Sequence, residues 1–158
     1  MTFSGGYALA PQEALEDLDM GGGSVLSLKV AGQQSNGSVT VLEGVVLSGG
    51  PPLHVHEAED EVVICVEGQL AYQVGEDRGA LGPGGVLWFP RGVPHAVANL
   101  THEPVRFVTV VTPSGIEDFF RAQRDYLVDV GEGRPFDPAA FARVPGHERR
   151  TVVGPPLA

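Results

Sequence analysis

Two histidines separated by a single residue, His54 and His56, are where this 158-residue chain first offers chemistry. Along a strand, side chains two positions apart leave the same face about 6.8 Å apart, so the two imidazoles project together and form half of a metal site. Glu61 follows across the acidic link Glu57-Ala58-Glu59-Asp60, where a turn returns a carboxylate to those rings. Asp60 is the alternative carboxylate, while Glu57, Glu59 and Asp60 otherwise read as a solvated acidic turn. His95 stands just after Pro90-Arg91-Gly92-Val93-Pro94, a turn that ends one strand and aims the next, and it closes the set from across the fold. Three neutral imidazoles and one carboxylate suit a first-row divalent ion and leave room for water, oxygen or substrate.

The elements that must position these groups are strands. Residues 24–30, 39–47, 61–67, 69–74, 86–89, 95–99 and 105–111 are β-branched or apolar and are punctuated by Gly, Pro, Asn or Asp. Such short, closely spaced strands pair antiparallel and bury their apolar faces in a barrel or sandwich, and a jelly roll fits their number. If Glu61 faces inward, Val63 and Cys65 do also, and Val62, Ile64 and Val66 face outward. That outer face is apolar enough to need covering by another sheet or a partner subunit. After Val111 the period changes. Ser114-Gly115-Ile116-Glu117 reads as a capping box, and Ile116, Phe119, Phe120, Gln123, Tyr126 and Leu127 have helical spacing, which predicts a helix from about Gly115 to Leu127 against the outside of the barrel. A shorter helix is expected from Asp137, with Pro138 in its first turn. The expected organisation is an N-terminal arm over 1–23 with a possible helical turn near Gln12 to Leu18, a barrel over 24–112 and a helical extension over 113–158.

Composition narrows the partners. Twenty acidic against ten basic residues give a formal charge of −10, which repels phosphate backbones and anionic lipid, so neither nucleic acid nor membrane is expected. The opening Met1-Thr2-Phe3-Ser4-Gly5-Gly6-Tyr7 lacks a basic stretch leading into an apolar one, and the expectation is a cytoplasmic protein. Cys65, the one cysteine, has no partner for an internal disulfide.

The pattern His54-x-His56-x4-Glu61-x6-Gly68 resembles the first conserved motif of the cupin superfamily, and Gly84-x5-Pro90-x-Gly92-x2-His95-x3-Asn99 resembles the second at every position. The glycine that leads the first motif is replaced by Ser48, with Gly49 and Gly50 just after it. The surrounding sequence looks like single-domain cupins resembling quercetin dioxygenases. This resemblance implies a jelly-roll barrel, commonly a homodimer, and with the helical spacing after Val111 the expected fold is all-β, a jelly-roll barrel with one or two C-terminal helices packed outside. It also implies one divalent ion (Fe, Mn, Ni, Co, Cu or Zn) on His54, His56, Glu61 and His95. By the same resemblance the enzyme is a metal-dependent dioxygenase acting with O2 on a small flavonol-like or enediol substrate, Glu61 taking a proton from the metal-held hydroxyl. Cupin sites of this kind also resemble those of isomerases, cyclases and lyases, and of non-catalytic binding proteins, so these remain alternatives.

Cys65 and Tyr72 flank a hairpin turn expected around Gly68 and, with Phe107, are candidates to line the substrate pocket. Trp88, Phe89 and Tyr126 can stack on an aromatic substrate, though core filling is their ordinary use. His102 and His147 are read as solvated, and Arg91 as a surface ion-pair residue or a contact for an anionic substrate.

Overall fold

The computed structural model describes residues 5–130, 144 and 146–158. In chain order it contains strands β1 (Glu16–Asp19) and β2 (Val25–Val30), a single helical turn α1 (Gly32–Ser35), β3 (Thr40–Val46), β4 (Pro52–His56), β5 (Asp60–Glu67), β6 (Leu70–Val74) and β7 (Asp77–Leu81). There follow β8 (Val86–Phe89), β9 (His95–Ala98), β10 (Val105–Thr112), helix α2 (Ile116–Val130), a 3-10 turn (His147–Arg149) and β11 (Arg150–Pro156). The short helix expected from Asp137 lies outside the described residues.

The strands form two antiparallel sheets, ordered β1-β2-β3-β10-β5-β8 and β11-β4-β9-β6-β7. From β3 to β10 the chain changes sheet at every step except the β6–β7 hairpin. The core lies between the sheets, where Val63, Cys65, Phe89 and Phe107 of one sheet meet Leu70 of the other, with Tyr72, Val74 and Val97 closing over them. The period-two alternation behind this is plain along β5, whose Val63 and Cys65 are buried while Val66 is exposed. On the outer face, Val66, Val86 and Trp88 remain exposed.

The hairpin expected at Gly68 is instead a crossing, because β5 pairs with β10 and β8 while β6 pairs with β7 and β9. Gly68 makes the crossing possible: its φ is +81°, and a Cβ there would lie 2.6 Å from the Pro104 carbonyl oxygen. The helical turn near Gln12 to Leu18 is likewise corrected. Glu16–Asp19 pairs with β2, which buries Leu18 completely. The place of the missing motif glycine is filled by its neighbour Gly50, where a Cβ would lie 2.0 Å from the Val97 carbonyl oxygen.

Helix α2 starts one residue later than expected and runs three further, since the sequence offers no glycine or proline before Gly131. Its first turn is held by Glu117, which accepts hydrogen bonds from the amides of Gly32 and Gly115 and from the Thr40 hydroxyl. Arg121 and Arg124 both donate to Glu16 of β1, and Ile116 is buried with Leu28, Leu42 and Val111.

Asn99, just beyond β9, knots three loops together. Its amide donates to the carbonyls of Val46, Leu47 and Glu103, and its oxygen accepts from the Thr101 amide and hydroxyl. The side chain is buried, so truncation strands carbonyls that water cannot reach. Asn99→Ala is expected to lower the free energy of unfolding by ~3 kcal/mol, read from the shift of a urea midpoint.

Candidate metal centre

His54 on β4 is the direct cross-strand partner of His95 on β9, and residues opposed in an antiparallel ladder send their side chains to the same face. His56 follows on β4 by the two-residue period. The three ring centroids stand 4.5 to 5.1 Å apart, and one ring nitrogen from each histidine lies within 4.8 Å of the other two. All three are buried. The fourth group comes from the opposite sheet: Glu61 opens the inward face of β5, with its Oε2 3.5 Å from His56 Nε2 and 3.3 Å from His95 Nε2. The structure thus brings together the four side chains singled out by spacing.

Each ring is held from behind. His54 Nδ1 donates to the Pro52 carbonyl at 2.7 Å and His95 Nδ1 to the Val93 carbonyl at 3.0 Å, both from two residues earlier on the same chain. His56 Nδ1 lies 3.1 Å from Glu59 Oε2. With the proton on Nδ1, each Nε2 carries the lone pair and is turned toward the others. The Nε2 atoms of His56 and His95 are buried without a hydrogen-bond partner. Burying orphaned imidazole nitrogens is costly, and a cation among them would satisfy them. The donor set therefore fits a divalent transition ion. Phe89 stacks on His95 at 4.1 Å between ring centroids and fixes the ring's plane.

The electrostatics favour the ligand forms. Burial, with Arg150 and the other two rings adding to it, pushes His54 well below the usual imidazole range, so it remains neutral. For Glu61, burial raises the carboxyl. In the absence of an ion, a hydrogen bond from His95 and the charges of His56 and His95, which require a proton on Nε2 where a cation would otherwise sit, join a 2.7 Å hydrogen bond from the Thr109 hydroxyl to outweigh burial and hold the group at about 2. Thr109 occupies Oε1, which leaves Oε2 to face the histidines.

His54, Glu61 and His95 form one end of a cavity of about 300 Å³. Phe107 lines it, as expected, whereas Cys65 and Tyr72 do not. Cys65 is packed in the core with its Sγ toward the carbonyls of Glu67 and Gly68, and Tyr72 lies over Gly79 of β7. The place of Tyr72 follows from the crossing at Gly68, which sends β6 into the other sheet, whereas Cys65 faces inward as expected but sits in the packed core. Asp60 is no rival to Glu61, because it pairs with Arg91 on the surface at 2.9 Å. His102 and Trp88 are exposed, and the side chain of His147 lies outside the described residues.

Two residues escaped the sequence reading. Glu59, expected in a solvated turn, is 1% exposed and backs His56, a role that its place three residues after a ligand histidine could have suggested. Arg150, in a segment with no apolar alternation to mark it as a strand, is buried and lines the cavity.

Protonation gives a test of these environments. In chelator-treated protein, unfolding free energy is expected to fall as the pH drops below about 6.5, because the unfolded His54 binds a proton that the folded site refuses. A second loss is expected between pH 4.5 and about 2, where folded Glu61 resists a proton that the unfolded chain accepts. Denaturant titrations across this range should show both, and His54→Gln should flatten the first.

Comparison with known proteins bears on the family and the fold. Residues 39–111 match the family described as Cupin domain. Among solved structures, an RmlC-like cupin from Shewanella frigidimarina is 21% identical with a TM-score of 0.60, over 74% of this chain and 98% of that one. A predicted oxalate decarboxylase from Thermotoga maritima is 15% identical with a TM-score of 0.59, over 68% and 98%. A cupin-superfamily sugar phosphate isomerase from Silicibacter pomeroyi is 26% identical with a TM-score of 0.51, over 59% and 61%. No curated protein matches the sequence. Residues 39–111 thus match the Cupin domain model, and the chain shares its fold with the cupin from Shewanella frigidimarina and the protein from Thermotoga maritima.

Proposed function

We propose that this chain is a metal-dependent cupin enzyme, a dioxygenase acting on a small hydroxylated metabolite of enediol type. The observation that supports it most is the cluster of three back-pinned imidazoles and one carboxylate, of which His54, Glu61 and His95 line a cavity large enough for a small molecule. In this reading His54, His56, Glu61 and His95 hold one divalent transition ion. Such an ion supplies Lewis acidity, which lowers the pKa of a bound hydroxyl.

The protein's own residues set the terms of the proton transfer. Held below the ordinary carboxyl range by its neighbours, Glu61 is a weak base and would accept a proton only from a hydroxyl already acidified at the site. Thr109 keeps Oε1 occupied and directs the transfer to Oε2, the oxygen on the histidine side. Val25, Leu26, Val63, Phe107 and Phe120 line the cavity with apolar surface, which suits the carbon skeleton of a small substrate.

A second reading keeps the residues and drops the oxygen: an isomerase or lyase in which the same end of the cavity polarises a carbonyl or enediolate. The likeness to the Silicibacter pomeroyi isomerase favours it.

Metal analysis and oxygen uptake separate the readings. Protein purified without chelator is expected to carry about one transition ion per chain. His54→Ala should lose the ion and His102→Ala should retain it, and equal loss in both would contradict the ligand assignment. Metal-dependent oxygen consumption with a panel of flavonols and enediols supports the dioxygenase. Anaerobic turnover of a hydroxy-ketone or sugar phosphate supports the second reading instead.

A further inference from the structure

One wall of the cavity holds a positive charge that no carboxylate among the described residues pairs with. Arg150 begins β11 directly opposite His56 of β4, so the ladder sends its side chain to the same interior face as the ligand histidines. It is 6% exposed and lines the cavity together with His54, Glu61 and His95. Its guanidinium rests against the faces of Phe119 and Phe120, 5.1 and 5.5 Å from their centroids, and its Nε is buried without a hydrogen-bond partner. Among the described residues no carboxylate comes within ion-pair distance of it. Glu61 and Glu59 act on it only through space.

Burial lowers the pKa of Arg150, with Glu61 and Glu59 working against the fall, but only to about 10, so the group is cationic at neutral pH. A buried, unpaired guanidinium is among the more expensive things a fold can carry, and it persists where something outside the chain completes it. On the same wall Gln123 of α2 buries its Oε1 without a partner. Among the described residues, Arg150 is the only lysine or arginine lining the cavity, and Glu61 the only carboxylate. With a divalent ion at the histidine end, the cavity holds an excess of positive charge.

We propose that Arg150 anchors the substrate through a carboxylate, so that this cavity takes a small carboxylic acid with its acid group on the guanidinium and its reacting oxygen toward the histidines. A lone planar fork in an apolar cavity matches a carboxylate, which it can grip through two parallel hydrogen bonds, whereas a phosphate commonly draws on several donors. The proposal rests on reading the cavity as the substrate site and is independent of which reaction occurs there.

The test is calorimetric titration of the metal-loaded full chain with benzoate, benzamide and phenyl phosphate, together with thermal unfolding of the same samples. Benzoate should bind wild type and raise its Tm. Its affinity should fall about ten- to a hundredfold in Arg150→Met and by less in Arg150→Lys, while weak binding of benzamide should be indifferent to either change. Ligand-free Arg150→Met should unfold at the same temperature as wild type or a few degrees above it, since an unpaired buried charge has been removed. Benzoate affinity unchanged in Arg150→Met overturns the proposal, as does a ligand-free Tm well below wild type, which would make Arg150 a structural cation. Tighter Arg150-dependent binding of phenyl phosphate than of benzoate overturns the carboxylate assignment. Metal content measured on each variant keeps the two readings apart. Arg150-dependent benzoate binding in protein that takes up no metal sinks the proposed enzyme and spares the anchor, and full metal occupancy with no benzoate preference does the reverse.

Discussion

The imidazole rings of His54, His56 and His95 owe their orientation to what lies behind them. Two are tied by Nδ1 to a carbonyl two residues back, and the third to the buried carboxylate of Glu59. Once those protons are committed, the Nε2 lone pairs have one direction left, toward each other. The backbone holds two of the rings, through Pro52 and Val93, and side chains complete the aim: Glu59 behind His56 and Phe89 against His95. Glu61 comes from the facing sheet, and the centre therefore also measures the distance between the sheets.

The surrounding charges form a graded set. Glu61 is held at about 2 by its neighbours, His54 is kept neutral by burial and Arg150, and Arg150 keeps its charge in spite of burial. Each group biases the next, so none can be replaced without altering the others. Glu59 links this set to the 3-10 turn before β11 through Arg149, whose Nη1 is 3.5 Å from Glu59 Oε1. The acidic link between β4 and β5 is consequently part of the site's support and not only a solvated connection.

The four chemistry-bearing residues could be read from the chain because their signals are local: a two-residue period, a short acidic link and a turn of fixed composition. The central strands were equally legible, since β3, β5 and β10 alternate buried and half-buried residues along apolar runs. The edges were not. β7 is mostly exposed and carries Asp77, Arg78 and Gly79, so no apolar alternation marks it. β11 ends in Pro155 and Pro156, which are tolerated because the strand lies at the border of its sheet. The turn at Gly68 failed for another reason: a glycine with positive φ between two strands looks the same whether the chain folds back within one sheet or steps to another. That distinction is made by long-range pairing with β10, and Tyr72 was misplaced with it.

β4 carries two of the three histidines, yet its ladder to β9 is registered at one pair, His54 with His95, whereas β11 pairs with it at Arg150, Thr151 and Val152. The strand that presents the imidazoles is thus clasped by a segment most of the chain's length away. Closing so long a loop is among the dearest entropic steps in assembling this topology. The imidazole strand is accordingly suited to lock late, after the local hairpins have formed, and whatever loosens the clasp reaches the centre before it reaches the core.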